Sequence, residues 1–171
     1  VRLSEHLPPA VQTGARYMLE IYYLWSGDFA AARAGLEQFS RLTQSRQWNP
    51  IATIFFHTTS ATFAWFDCEF DLCRRHVGKA RALVNETGLH VLDGFVLSQG
   101  AAGELLAGHL YAAETLLKEE DAATRGLGGI HRAHFLHLFS WLKLLQGDFQ
   151  EAWTQIQQSL NLLAAEGGHM F

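Results

Sequence analysis

The sequence predicts an all-α protein: four antiparallel helix pairs stacked as a repeat array with a period of about 40 residues. Two observations carry this. The first is a motif that returns four times, as Gly27-Asp28-Phe29-x-x-Ala32, Cys68-Glu69-Phe70-x-x-Cys73, Gly108-His109-Leu110-x-x-Ala113 and Gly147-Asp148-Phe149-x-x-Ala152. Leu36, Val77, Leu117 and Ile156 follow four residues later, and the anchors Phe29, Phe70, Leu110 and Phe149 lie 41, 40 and 39 residues apart. A steady period of that length marks units that cannot bury their apolar faces alone and must stack to do so. The second is composition. Three prolines in 171 residues, an abundance of Ala and Leu, and no run of alternating β-branched residues favour helix almost throughout.

The elements follow in order. A first helix is predicted from about Pro9 to Ser26, since proline is tolerated in a first turn and Tyr17, Ile21 and Leu24 recur on one side. Gly27 breaks it, and Asp28 is placed to cap the next helix, which carries Phe29, Ala32, Leu36 and Phe39 and lasts to about Thr43. The stretch 44–50 reads as a turn, with Asn49 as N-cap and Pro50 at the first helical position. The second pair runs from Pro50 to about Phe66 and from about Glu69 to Asn85, ending near Gly88 in a left-handed cap. The third runs from about Val91 to Ala107 and His109 to Arg125. Gly94, Gly100 and Gly103 fall inside its first helix and call for either close helix contact or a softer repeat. The fourth runs from about Ile130 to Gln146 and Asp148 to Ala165. The repeats span about 9–46, 50–88, 90–128 and 130–168 of a single domain over 1–171.

Several function classes lack a sequence basis. A net charge of −4 with scattered Lys and Arg offers no electropositive stripe for a phosphate backbone, so direct nucleic-acid contact is not expected. No apolar run approaches the roughly 20 residues that span a bilayer, so no membrane role is expected. Cys68 and Cys73 fall five apart on a predicted helix, and Cys73 occupies a slot held by alanine in the other copies. That makes it a small packing residue in a reducing, cytoplasmic setting. No nucleophile elbow, phosphate loop, dinucleotide fingerprint or paired-cysteine metal motif occurs, so the expectation is a non-enzymatic chain without a cofactor. The chain starts at Val1 and stops where a fifth repeat would begin, so we expect a piece of a longer polypeptide, with exposed ends open to self-association.

The hairpin pattern Gly-Asp-aromatic-x-x-Ala-x-x-x-Leu resembles the second half of the tetratricopeptide motif, and all four copies fit it. The first half is poorly kept: its positions are Arg16-Leu19-Glu20-Tyr23, His57-Ser60-Ala61-Ala64, Leu97-Gly100-Ala101-Glu104 and Leu136-Phe139-Ser140-Lys143. The period exceeds the standard of about 34 residues and approaches that of HEAT and armadillo repeats. The recurrence in register of the hairpin glycine and the small residue favours the tetratricopeptide side. The array is similar to the degenerate ones of MalT-like (LuxR-family) bacterial transcriptional regulators. This resemblance implies a right-handed α-α superhelix serving as sensor or interaction domain for another protein, a peptide or a small-molecule effector, joined to flanking domains. A structural spacer between such domains is the alternative.

The resemblance further implies that the first helix of each pair lines a concave surface. The inward positions are then Tyr17 and Ile21; Phe55, Thr58, Thr62 and Trp65; Ser98 and Ala102; and His134, His137 and Trp141. Each of these aromatics could equally be inter-repeat core. Three further clusters stand out. His131, His134 and His137 are spaced to approach one ion, but no carboxylate joins them on their helix, and ordinary groove or surface histidines are the expectation. Arg74, Arg75, His76, Lys79 and Arg81 read as a solvated face, or alternatively as a dock for an acidic partner. Glu119-Glu120-Asp121 reads as helix surface.

Overall fold

The four recurring hairpins fold alike. In a computed structural model that describes residues 9–43 and 50–165, the helices are α1 (Pro9–Trp25), α2 (Phe29–Thr43), α3 (Pro50–Phe66), α4 (Phe70–Thr87), α5 (Asp93–Leu106), α6 (Leu110–Thr124), α7 (Gly129–Leu145) and α8 (Phe149–Ala165). The four anchor residues are therefore the first residues of α2, α4, α6 and α8. Among the described residues there is no strand, and no helix is long and apolar enough to cross a membrane.

Each hairpin is turned by one residue in the left-handed region: Gly27 at φ 79°, Cys68 at 60°, Gly108 at 78° and Gly147 at 83°. The same pair of backbone bonds closes each turn. The amide after the left-handed residue donates to the carbonyl five residues back (Asp28 to Tyr23, Glu69 to Ala64, His109 to Glu104, Asp148 to Lys143), and the left-handed residue itself donates to the carbonyl three back. That is the Schellman closure, which satisfies carbonyls a helix end leaves orphaned. Capping by side chain is an addition at two copies only. Asp28 Oδ1 accepts from the Ala31 amide at 3.0 Å and Asp148 Oδ1 from Glu151 at 3.2 Å, while Glu69 and His109 make no such bond.

Among these four turn residues Cys68 is thus the one non-glycine, in a position that disfavours a Cβ. It lies exposed in the turn before α4, and not on the helix with Cys73 as expected, whereas Cys73 is buried inside α4. The left-handed conformation costs a side-chain-bearing residue roughly 1 kcal/mol or more. Cys68→Gly should accordingly raise stability by about 1 kcal/mol, less the added chain entropy of glycine, read as a higher urea midpoint at unchanged slope.

Within each pair the two helices meet at register positions that are buried in every copy. On the second helix these are Ala32, Cys73, Ala113 and Ala152, and two turns further on Phe39, Ala80, Glu120 and Ser159. On the first helix Glu20, Ala61, Ala101 and Ser140 are buried in a matching register. Contact is direct where a polar atom reports it: Ser140 Oγ donates to the Ala152 carbonyl at 2.8 Å and Ser159 Oγ to that of Ala133 at 2.7 Å. In the first pair the bulk of Glu20 is accommodated by Gly35, where an added Cβ would stand 3.1 Å from Glu20 Cγ.

The α5 glycines serve close approach. A Cβ at Gly103 would fall 2.8 Å from Cys73 Sγ and one at Gly94 would fall 2.7 Å from Thr124 Cγ2, so both neighbouring helices press on α5. Helix ends otherwise agree with expectation to within two residues. The N-terminus of α5 does so because a 3₁₀ turn, His90–Leu92, leads into it, and Gly88 (φ 72°) caps α4 by donating to Val84. The predicted turn with Asn49 as N-cap lies outside the described residues.

Every helix packs on its sequence neighbour, and α1, α3, α5 and α7 also pack on one another in that order. The odd-numbered helices thus form one layer. Three apolar clusters fill the space between elements: Leu24, Ala32 and Phe63; a second around Ile54, Val77, Val84 and Val96; and a third around Leu105, Leu117, Leu138 and Leu142.

Candidate functional site

The layer of odd-numbered helices carries a groove of about 330 Å³. Its wall takes Tyr17 and Ile21 from α1, Thr62, Trp65 and Phe66 from α3, Phe95, Ser98, Gln99 and Ala102 from α5, and His131, His134, His137, Leu138 and Trp141 from α7. The volume lies at the lower end of the range typical of small-ligand sites, and the lining is of the usual kind, mostly aromatic and aliphatic with few polar groups.

Of the expected inward residues, Tyr17, Thr62, Trp65, Ser98, His134, His137 and Trp141 line this groove together with Ile21 and Ala102; Phe55 and Thr58 do not. The Phe55 ring lies between those of Tyr17 (4.8 Å between centroids) and Phe95 (6.4 Å), where it joins α1, α3 and α5. Thr58 is buried, and its hydroxyl donates to the Ile54 carbonyl at 2.8 Å. The Ser98 and Thr62 hydroxyls, which do line the groove, are also engaged: Ser98 donates to the Phe95 carbonyl at 3.0 Å, and Thr62 Oγ1 lies 2.8 Å from Gln99 Oε1. Trp65 Nε1 donates to that same oxygen at 3.0 Å, and its indole stacks on Phe66 at 4.1 Å. Trp65 is therefore held in place by a polar contact of its own.

One residue reaches the groove from the second layer. Glu120 of α6 was expected on the helix surface with its acidic neighbours, but it is 1% exposed and lines the groove. Glu119 bonds Arg81 at 2.6 Å and Asp121 pairs with Arg125 and Arg132, so the two flanking acids meet cations on either side. The middle one has none. Glu120 Oε2 is buried with no hydrogen-bond partner among the described residues, and Oε1 is 3.9 Å from His134 Nδ1. Burial pushes this carboxyl up to about 8. His134 is moved the other way, to about 4, by the crowding of groove walls and by neighbouring His137 and His131, although half of its side chain meets solvent. Near neutrality the two therefore face each other as a carboxylic acid and a neutral imidazole. The signal for Glu120 was present in the repeat itself, since it falls in register with buried Phe39, Ala80 and Ser159.

The remaining clusters resolve differently. Among the described residues no three His, Cys, Asp or Glu side chains are placed to hold one metal ion, the trio on α7 included. In the basic cluster on α4, Arg74 forks onto Glu104 at 2.6 and 2.9 Å and holds that carboxyl below the usual range, with His109 on the same carboxylate. Arg81 is taken by Glu119, so two of the basic groups tie α4 to the next repeat. His76 Nδ1 lies 3.0 Å from His57 Nδ1; burial and the nearby His76 charge bring His57 down to about 4.

Set against protein-family models, curated protein sequences and solved structures, the chain has no significant match in any of the three.

Proposed function

We propose that this chain is a non-enzymatic binding module, a tetratricopeptide-like α-α superhelix that holds a small effector or a peptide in the groove of its odd-numbered helices. The observation that supports it best is that all four of these helices, drawn from all four repeats, contribute side chains to one groove. A ligand seated there touches every unit of the array at once. Its binding energy therefore bears on how the repeats pack on one another, which suits a sensor that reports to flanking domains. The sensor domain of a MalT-like transcriptional regulator is the setting this reading favours, in accord with the hairpin signature.

The test is a screen of small aromatic amines, acids and alcohols against the chain by ligand-observed NMR, repeated with Trp65→Ala and Trp141→Ala. Hits should lose affinity at least about tenfold in either variant, as removal of an aromatic anchor from a buried contact does. Unchanged affinities would place the site elsewhere.

A second reading, a spacer or self-association scaffold, is favoured by one feature. Phe149, Trp153, Leu160 and Leu163 of α8 are exposed and spaced by helical turns, an uncovered apolar stripe on the last described helix. Light scattering distinguishes the cases: a scaffold raises the mass with concentration, and Trp153→Lys abolishes the rise.

A further inference from the structure

We propose that the ligand of this groove is recognised through a primary ammonium group, seated against the Glu120 carboxylate and walled by Trp65, Trp141 and Phe95. This inference rests on the groove-binding reading and names its ligand chemistry.

Packing does not ask for a carboxylate at residue 120. The other repeats fill the equivalent position with Phe39, Ala80 and Ser159, two apolar side chains and one whose hydroxyl is satisfied by the Ala133 carbonyl. In the third repeat the position carries an acid with one fully buried oxygen that has no hydrogen-bond partner among the described residues. A buried polar atom without a partner is rare in folded proteins and is costly to keep. It lies at a groove whose described lining residues include no Lys and no Arg.

The possible occupants differ in what they offer that oxygen. An anion would be repelled once the carboxyl ionises. A neutral donor satisfies the hydrogen bond and leaves the charge question untouched. An ammonium does both, donating to the orphaned oxygen and supplying the missing counter-charge. The proton follows from this choice. An ammonium ion entering against the protonated acid converts it to the carboxylate, and the released proton goes to solvent. The titratable groups lining the groove are Tyr17 on α1 and His131, His134 and His137 on α7; α5 presents Gly94, Phe95, Ser98 and Gln99, none of them charged. His134, nearest of them to the carboxyl at 3.9 Å, is held neutral and does not compete as counter-ion.

The experiment titrates the full chain, followed by tryptophan fluorescence, with four probes: benzylammonium, benzyl alcohol, benzoate and the blocked peptide acetyl-Gly-Lys-Gly-amide. Benzylammonium should bind at least about tenfold more tightly than benzyl alcohol, with benzoate weakest. Its affinity should rise as the pH is taken from about 6 to about 8.5, where the ammonium stays charged and Glu120 gives up its proton with less cost. Glu120→Gln, which keeps the shape, should remove the preference and the pH dependence while leaving the alcohol unaffected. The peptide separates a lysine side chain from a free amine as the source of the ammonium. Should the alcohol or benzoate bind as well as benzylammonium, with the Gln variant unchanged, the ammonium proposal falls and groove binding stands. Should no probe bind at all, both fall.

Discussion

At about pH 8.5 the Glu120→Gln variant should melt some 5 °C or more above the wild type, and near pH 4 the two should melt together. The buried carboxyl is pushed to about 8 by loss of water, while in the unfolded chain it titrates near its ordinary 4.5. Because the folded value is the higher one, the folded state binds the proton more tightly, and stability falls as the pH rises through the window between the two values. Each pH unit in that window is worth about 1.4 kcal/mol, so the full swing amounts to a few kcal/mol, a sizeable part of the stability of a domain this size. Glutamine removes the titration and keeps the volume. The histidines act with opposite sign. His57 and His134 are both lowered to about 4, so the unfolded chain takes up protons first and stability falls as the pH drops below about 6.5. The wild type should therefore be most stable in mildly acid solution, with losses on both sides, and the Gln variant should keep only the acid-side loss. Thermal melts at half-unit pH steps check this; parallel profiles for the two proteins would show that Glu120 is solvated.

Leu142→Ala should cost about 2–5 kcal/mol, lowering the melting temperature by roughly 5–15 °C. Leu142 has no exposed surface and packs in the cluster that includes Ala101, Leu105, Leu117 and Leu138. That cluster is what the third and fourth pairs share. Truncation there removes buried methyl groups and leaves a cavity that rigid helix backbones cannot close. Leu145, three residues on, provides the control. It is 45% exposed, and its change to Ala should stay within about 0.5 kcal/mol. Equal costs at the two positions, measured by urea unfolding, would mean that α7 does not pack through the face seen here.

Much of this fold can be read from the chain. Helix ends are marked by residues with one backbone reason for being there, such as Gly27, Gly88 and Gly147 at positive φ, or Pro50 at the first residue of α3. The motif anchors mark the starts of the second helices for the same reason: a closed turn fixes where the next helix begins. The groove is legible in part. Trp65 and Trp141 stand on the stripe that the odd-numbered helices turn toward one another's open side. Phe55 and Thr58 share that stripe's spacing, yet the Phe55 ring falls between Tyr17 of α1 and Phe95 of α5, and Thr58 is buried within α3's packing. A periodic stripe says that a face is apolar and leaves open which of its turns a neighbour covers.

Glu120 shows the division most clearly. Its acidic neighbours suggest a solvated surface, and two of the three do meet cations at the surface. Its register, level with Phe39, Ala80 and Ser159, suggests burial. By itself the sequence determined the helices, their turns and their period, because these depend on local backbone chemistry that each residue carries with it. Only the tertiary structure decided which side chains meet: that Gly103 admits Cys73, that Arg74 reaches Glu104, and that one carboxyl is enclosed beside a groove whose described lining residues include no Lys and no Arg. Those facts depend on the distance between residues some 15 to 100 positions apart in the chain, which no single helix's pattern contains.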